Sequence, residues 1–127
     1  MSLTLSLLDG RFAVCRLAPG DEIPAWASGG AFASVTRTRD ELSLVCAEGA
    51  VPEGIRCEGG WRVFQVEGPL DFGLTGILAS LAVPLAEAAV SIFAVSTFDT
   101  DYVMVRDQNV ERALAALATA GHRVVST

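Results

Sequence analysis

The order of strand-like and helix-like segments in the second half of the chain constrains the fold more than any other feature of the sequence. The strand-like segments are short runs of alternating or β-branched apolar side chains, and the helix-like segments repeat apolar side chains at helical spacing. In chain order, the six segments cover residues 61–68, 74–89, 91–97, 101–106, 109–120 and 122–126. The pattern is therefore β-α-β-β-α-β, with an Asn before the second helix that is typical of a helix cap.

This order predicts an α+β fold, a four-stranded antiparallel sheet with both helices on one face, which is the ferredoxin-like arrangement. Pro84 lies inside the first predicted helix, where its missing N–H leaves the carbonyl of Ser80 without its usual donor. We therefore expect a bend in this helix rather than a break.

The first half of the chain has two strand-like runs but no long helical pattern. Setting Pro19 against Pro69 and Val35 against Val95 aligns the strands of the two halves, with an offset that rises from 50 to 60 residues. The extra residues of the second half fall in its first helix, which favours two related units, the first with clipped helices. The alternative is that any two hairpins look alike.

A chain of 127 residues is long enough for two small units. On the first interpretation, residues 1–60 form a degenerate unit and residues 61–127 form a complete one. The boundary between them is expected near Gly59 and Gly60.

The charge balance and the cysteines exclude several classes of protein. The formal net charge is −6 and Lys and Arg do not cluster, so neither a nucleic acid nor a membrane is an expected partner. No signal peptide or membrane-spanning run is found, and we expect a cytoplasmic protein. Cys15, Cys46 and Cys57 lack the spacing of metal ligands and are interpreted as small buried hydrophobes, so no metal or other cofactor is expected.

The sequence carries no signature of catalysis. His122 is the only histidine, and its place at the start of the last strand indicates an exposed or edge-strand residue rather than a general base. No Gly-x-Ser-x-Gly motif accompanies it. We therefore do not expect an enzyme.

The turn that leads into the first helix is one candidate binding site. Gly73 and Gly76 lie in this turn, where exposed backbone amides at the positive end of a helix can hold a carboxylate or a phosphate. The alternative interpretation is a tight turn that needs glycine for its backbone conformation.

The tip between the two middle strands is a second candidate. Its sequence, STFDTD at residues 96–101, contains no Gly, although two-residue hairpin turns usually do. Asp99 and Asp101 can accept from a cation or an ammonium group, or can simply form a solvated turn. The sequence leaves open whether this tip meets the turn at Gly73 and Gly76.

Taken together, GPLDFGLTGIL at residues 68–78 and SIFAVSTFDTDYVMV at residues 91–105 resemble the ACT domain family of amino-acid-binding regulatory modules. The resemblance extends to stand-alone bacterial tandem members of that family. It implies a homodimer and a small-molecule ligand, an amino acid, held between ACT units. The implied ligand-binding residues are Asp71, Phe72, Gly73, Leu74, Thr75, Gly76, Ile77, Ser96, Thr97, Phe98, Asp99, Thr100, Asp101 and Tyr102.

The resemblance also implies roles for these residues. Loop amides would take the α-carboxylate of the ligand, and Asp99 or Asp101 would take an ammonium or a longer cationic side chain. Phe98 or Tyr102 would cover the aliphatic stem of the ligand.

The corresponding tip of the first unit reads TRTRDE, with Arg37 and Arg39 where the second has Thr97 and Asp99. We therefore expect the first unit not to bind ligand in the family manner.

Two functions follow. The preferred one is a non-catalytic amino-acid sensor that is read by a regulatory protein partner. The alternative is an interaction module that keeps the ACT fold without a ligand. A small enzyme of this fold is a third hypothesis, for which no acid, base or nucleophile can be named.

Overall fold

The computed structural model of the protein describes residues 1–71 and 73–126. It divides into two compact units: Met1–Asp9 with Arg62–Thr127, here called the larger unit, and Gly10–Trp61, the smaller unit. The strands are β1 Thr4–Leu7, β2 Phe12–Leu17, β3 Ser34–Arg37, β4 Leu42–Ala47, β5 Cys57–Val66, β6 Ile92–Ser96, β7 Asp101–Arg106 and β8 Arg123–Ser126. The helices are α1 Ile77–Glu87 and α2 Val110–Thr119. Among the described residues, no helix has the length and apolar character needed to cross a membrane.

The larger unit has the predicted α+β, ferredoxin-like class of fold. Its strands lie in the order β8-β1-β5-β7-β6, and β6 and β7 form an antiparallel hairpin. The sheet differs from the expected four-stranded one because β1 lies between β5 and β8, antiparallel to the first and parallel to the second. Leu5 of this added strand is 1% exposed, so burial of its side chain helps to hold β1 in the sheet.

Both helices cover one face of this sheet. Their apolar side chains repeat every three or four residues and meet alternate side chains of the strands, as helical and strand periodicity require. The buried cluster consists of Leu5, Phe64, Val66, Leu81, Leu85, Val90, Val103, Val105, Val110, Ala113 and Leu117. Asn109 precedes α2 as predicted, but its side chain makes no capping hydrogen bond.

Pro84 and His122 are linked through one backbone carbonyl. Helix α1 runs through Pro84 without a break, and Ser80 is the residue whose carbonyl loses its helical donor there. The Nε2 atom of His122 lies 2.9 Å from that carbonyl, while its Nδ1 accepts from the N–H of Leu3 at 3.1 Å. Since Nδ1 is an acceptor, the ring is the neutral tautomer with the proton on Nε2. The prediction of an exposed or edge-strand histidine was therefore wrong about exposure, because His122 is 6% exposed.

The smaller unit has no helix longer than a single 3-10 turn among its described residues. Its antiparallel strands lie in the order β3-β4-β2-β5, where β5 contributes residues 57–61. Short 3-10 turns at Ala25–Ala27 and Glu48–Ala50 take the places, in the order of strands, that α1 and α2 occupy in the larger unit. Its core contains Ala13, Cys15, Ala27, Leu42, Leu44 and Cys46.

The smaller unit ends at Trp61, close to the expected boundary, whereas Met1–Asp9 belong to the larger unit. The interpretation of residues 1–60 as a degenerate ACT-like unit, and of residues 61–127 as a complete one, stays a prediction.

Candidate functional site

A pocket of about 300 Å³ lies in the larger unit, between the loop that follows β5 and the tip of the β6–β7 hairpin. The two candidate segments, which the sequence left unconnected, therefore meet within one unit. The pocket is lined by Leu70, Asp71, Leu74, Gly76, Ile77, Leu78, Ser96, Thr97, Phe98, Asp99, Thr100 and Asp101.

The loop before α1 is a turn built on Asp71. The Oδ1 atom of Asp71 accepts from the N–H of Gly73 at 2.7 Å, and its carbonyl accepts from the N–H of Leu74 at 3.0 Å. Gly76 then takes a φ of 80° as the N-cap of α1, a conformation that a residue with a Cβ rarely adopts. The amide of Gly73 is thus already used within the loop, and the first turn of α1 offers further backbone donors to a ligand.

Two threonines close the hairpin tip. The N–H of Thr97 donates to the carbonyl of Thr100 at 2.9 Å, and the Oγ1 of Thr97 accepts from the N–H of Thr100 at 3.4 Å. No residue of the tip has a positive φ. Thr97 and Thr100 therefore carry the turn, and the tip needs no glycine because its backbone never enters the left-handed region.

Two hydrogen bonds and one close backbone approach fix the tip against the end of β5 and the loop that follows it. The hydroxyl of Thr100 donates to the carbonyl of Val66 at 2.7 Å, and the N–H of Leu70 donates to the carbonyl of Asp99 at 2.6 Å. A Cβ placed on Gly68 would lie 3.0 Å from the same carbonyl of Asp99, closer than side chains normally approach. These contacts define the position of the pocket wall.

The lining of the pocket contains several acidic side chains. Asp71, Asp99 and Asp101 contribute carboxylates to its lining, and no Lys or Arg is among the described residues that line it. The Oδ1 of Asp101 accepts from the hydroxyl of Ser96 at 2.6 Å, which orients that carboxylate. Such a set of acceptors suits an ammonium or guanidinium group.

The opposite chemistry is found at the beginning of α1. Ile77 and Leu78 line the pocket and belong to the first turn of the helix, whose N–H groups have no partner within the helix. The helix macrodipole adds positive potential at this end. The pocket therefore combines donors for an anion with acceptors for a cation.

The structure distributes the predicted site residues unevenly. Of the fourteen, ten line the pocket, while Gly73, Thr75 and Tyr102 do not, and Phe72 lies outside the described residues. Tyr102 follows Asp101 in β7, so its side chain points to the other face of the sheet, and Phe98 is the aromatic residue among the described residues that line the pocket. Leu70 and Leu78 were not predicted, although apolar residues beside the glycine turn could have signalled them.

The fold and a family match define the class of this protein. Residues 56–119, which are 64 of the 127, match the family model described as the ACT domain, and the chain belongs to that family. Residues 10–54 match a second model, described as an N-terminal domain.

Individual relatives agree with this assignment. The cytosolic arginine sensor for mTORC1 subunit 1 of Bos taurus is 31% identical over 102 residues, which cover 68% of this chain and 30% of that protein. The chain thus spans less than a third of the length of that relative. A crystal structure of a protein from Agobacterium tumefaciens has 42% identity and a TM-score of 0.95, covering 100% of this chain and 95% of that one. The aspartate kinase of Clostridium acetobutylicum shares the fold at 15% identity, with a TM-score of 0.66 over 88% of this chain and 33% of that one.

Proposed function

We propose that this protein is a non-catalytic regulatory module that binds a free amino acid in the pocket between the β5–α1 loop and the hairpin tip. The observation that carries the proposal is the pairing, in one pocket, of the amides at the beginning of α1 with the carboxylates of Asp71, Asp99 and Asp101. A zwitterion needs both kinds of partner. Membership of the ACT family, and similarity to a protein named as an arginine sensor, support the same ligand class.

The arrangement favours an amino acid with a cationic side chain. The α-carboxylate of the ligand accepts from the first-turn amides of α1, and its α-ammonium takes one of the aspartates. A neutral amino acid would leave the remaining carboxylates of the pocket without a cationic partner. Leu74 and Phe98 offer apolar surface to the methylene stem of a long side chain.

The size of the pocket also supports a small ligand. About 300 Å³ is at the lower end of the range of roughly 300–1,000 Å³ for small-molecule sites. A single amino acid suits this volume better than a nucleotide or a dinucleotide does.

Thermal melting against each of the twenty amino acids, at millimolar concentration, tests the proposal. A ligand present at ~100 times its dissociation constant adds about 2.7 kcal/mol to the free energy of unfolding. We expect the largest upward shifts with arginine and lysine, and little or none with glutamate.

A matched pair of variants localises the effect. Asp99→Asn removes a pocket carboxylate, whereas Asp40→Asn makes the same change at the tip of the β3–β4 hairpin in the smaller unit. The first variant should lose the arginine-dependent shift and the second should keep it. A shift that survives Asp99→Asn, Asp101→Asn and their combination would place the ligand elsewhere.

A ligand-free interaction module is the second candidate. It is favoured by a groove of about 730 Å³ between α1 and α2, lined mainly by alanines and by Val83, which is 55% exposed. Absence of any shift with all twenty amino acids, together with self-association in sedimentation experiments, would support this candidate, in the form of a homodimer, over the sensor.

A further inference from the structure

The three cysteines of the smaller unit come together on one face of its sheet, although they are far apart in sequence. Cys15 of β2 lies directly opposite Cys57 of β5. Cys46 of β4 pairs with Ala13, two residues before Cys15, and so lies diagonally across from Cys15. Cys15 is therefore flanked by a thiol on each neighbouring strand.

The pairing of Cys15 with Cys57 has the geometry of a cross-strand disulfide. The N–H of Arg16 donates to the carbonyl of Arg56 at 2.9 Å, so the next pair along, Cys15 and Cys57, is of the non-hydrogen-bonded kind. In such pairs the Cα atoms are about 4.5 Å apart and the side chains approach most closely. Disulfides span Cα separations of about 4.4–6.8 Å. A bond between these two sulfurs thus needs no rearrangement of the backbone.

The two thiols differ sharply in accessibility. The interpretation of the cysteines as small buried hydrophobes was wrong for Cys57, which is exposed at the edge of the cluster, whereas Cys15 is 1% exposed in the core of the unit. Burial, together with the neighbouring thiols Cys46 and Cys57, raises the pKa of Cys15 to about 12. Oxidants in solution therefore meet Cys57 first, while the buried Cys15 is protected from them and stays protonated.

We propose that Cys57 and Cys15 form a hydroperoxide-responsive dithiol–disulfide site, with Cys57 as the reacting thiol and Cys15 as the resolving one. The thiolate of Cys57 attacks a peroxide oxygen: the S–O bond forms, the O–O bond breaks, and the leaving oxygen takes a proton to become an alcohol or water. The sulfur of Cys15 then attacks the sulfenic sulfur of Cys57, so that the S–S bond forms and the S–O bond breaks. The leaving hydroxide takes the proton of the Cys15 thiol and departs as water. Two thiols are oxidised by two electrons and one hydroperoxide is reduced.

Cys46 provides a matched control for this assignment. It is as buried as Cys15, and burial raises its thiol pKa as well, but no strand register places it opposite an exposed cysteine. Substitution of Cys46 removes a thiol from the same cluster without removing either partner of the proposed bond.

Hydrogen peroxide added to the full chain, followed by mass spectrometry, tests the proposal. We expect the intact mass to fall by the mass of the two thiol hydrogens, peptide mapping to join the Cys15 and Cys57 peptides, and dithiothreitol to reverse the change. Cys46→Ser should retain this behaviour. Cys57→Ser, at an exposed position, should fold normally by circular dichroism and lose the mass change.

Three outcomes would overturn it. They are oxygen addition at Cys57 with no bond to Cys15, a bond between Cys15 and Cys46, and a disulfide that joins Cys57 of two chains. None of these outcomes bears on the amino-acid pocket, whose residues lie in the larger unit.

Discussion

The hairpins β3–β4 and β6–β7 are closed by the same kind of turn, yet only the second borders the pocket. In the smaller unit, Thr38 donates its N–H to the carbonyl of Glu41 at 2.9 Å and accepts from the N–H of Glu41 through Oγ1 at 3.2 Å. In the larger unit, Thr97 and Thr100 repeat both hydrogen bonds. A shared turn therefore does not by itself make a binding site.

The two tips differ in the groups that hold them in place, which belong to β5 and its following loop in the larger unit and to β2 in the smaller unit. The carbonyl of Asp99 accepts from a backbone amide, that of Leu70, whereas the equivalent carbonyl of Asp40 accepts from the guanidinium of Arg16 at 2.9 Å. Arg37 adds hydrogen bonds to the carbonyls of Pro19 and Asp21.

In the smaller unit the tip is therefore held by hydrogen bonds from arginine side chains. In the larger unit it is held by a backbone N–H and by one buried hydroxyl. Because the tip of the larger unit is held mainly through its backbone, the side chains of Ser96, Asp99 and Asp101 are available to line a pocket.

The largest expected effect concerns helix α1, which the larger unit has and the smaller one lacks. His122→Ala removes two buried hydrogen bonds and leaves a cavity, at a cost of about 3 kcal/mol in the free energy of unfolding. Pro84→Ala supplies a helical N–H to the carbonyl of Ser80, so it should recover part of this loss in the double variant. Urea denaturation of all four proteins measures the coupling, and additivity within about 0.5 kcal/mol would contradict the link.

An intermediate effect is expected from the fastening of the tip. Thr100→Val keeps the shape of a side chain that is 6% exposed but deprives the carbonyl of Val66 of its donor, which costs about 2 kcal/mol. Glu41→Ala, at the equivalent place in the other hairpin, should change stability by less than about 0.5 kcal/mol. Equal losses of unfolding free energy in the two variants, measured by chemical denaturation, would show that the two tips are held equally strongly and would contradict this prediction.

The smallest effect is expected at Gly68. Gly68→Ala places a Cβ against the carbonyl of Asp99 and should cost about 1 kcal/mol and weaken arginine binding in calorimetry. Gly20→Ala, in the corresponding loop of the smaller unit, meets nothing within 4 Å and should be neutral for both properties. An unchanged arginine affinity in Gly68→Ala would show that the position of this loop does not matter for ligand binding.

The sequence predicted the elements of the larger unit well because their apolar periodicities differ clearly. The first helix was expected from residue 74 but begins at Ile77, since the N–H of Leu74 donates to the carbonyl of Asp71 and Gly76 has a positive φ. Apolar spacing continues across such a turn, so periodicity alone overestimates the length of the helix.

The alignment of the two hairpins was wrong by one residue. The predicted offset was 60, but the closing threonines Thr38 and Thr97 give 59. Runs of consecutive apolar residues tolerate such a shift, and a shift of one residue exchanges the two faces of a strand. The hydroxyl-to-backbone bonds of the threonines were the local signal that could have set the register.

Long-range pairings could not be predicted. Nothing in the sequence around Leu5 indicates a parallel partner in β8, and nothing around Cys15 indicates Cys57, because both pairings depend on how distant segments are brought together. The acidic wall of the pocket was predicted in part, since Asp71, Asp99 and Asp101 were all named, but the loss of the Gly73 amide to Asp71 required the structure.

The position of β1 has a consequence for synthesis of the chain. Among the strands described here, β1 is synthesised before the others, yet the part of β5 that pairs with it follows the segment from Gly10 to Trp61, and β8 follows both helices. The strands of the smaller unit come from one continuous stretch and can pair as they emerge, whereas β1 can pair with β5 only after that stretch and with β8 only after both helices. The sheet of the larger unit is therefore completed only after β8, the last strand of this region, has been synthesised.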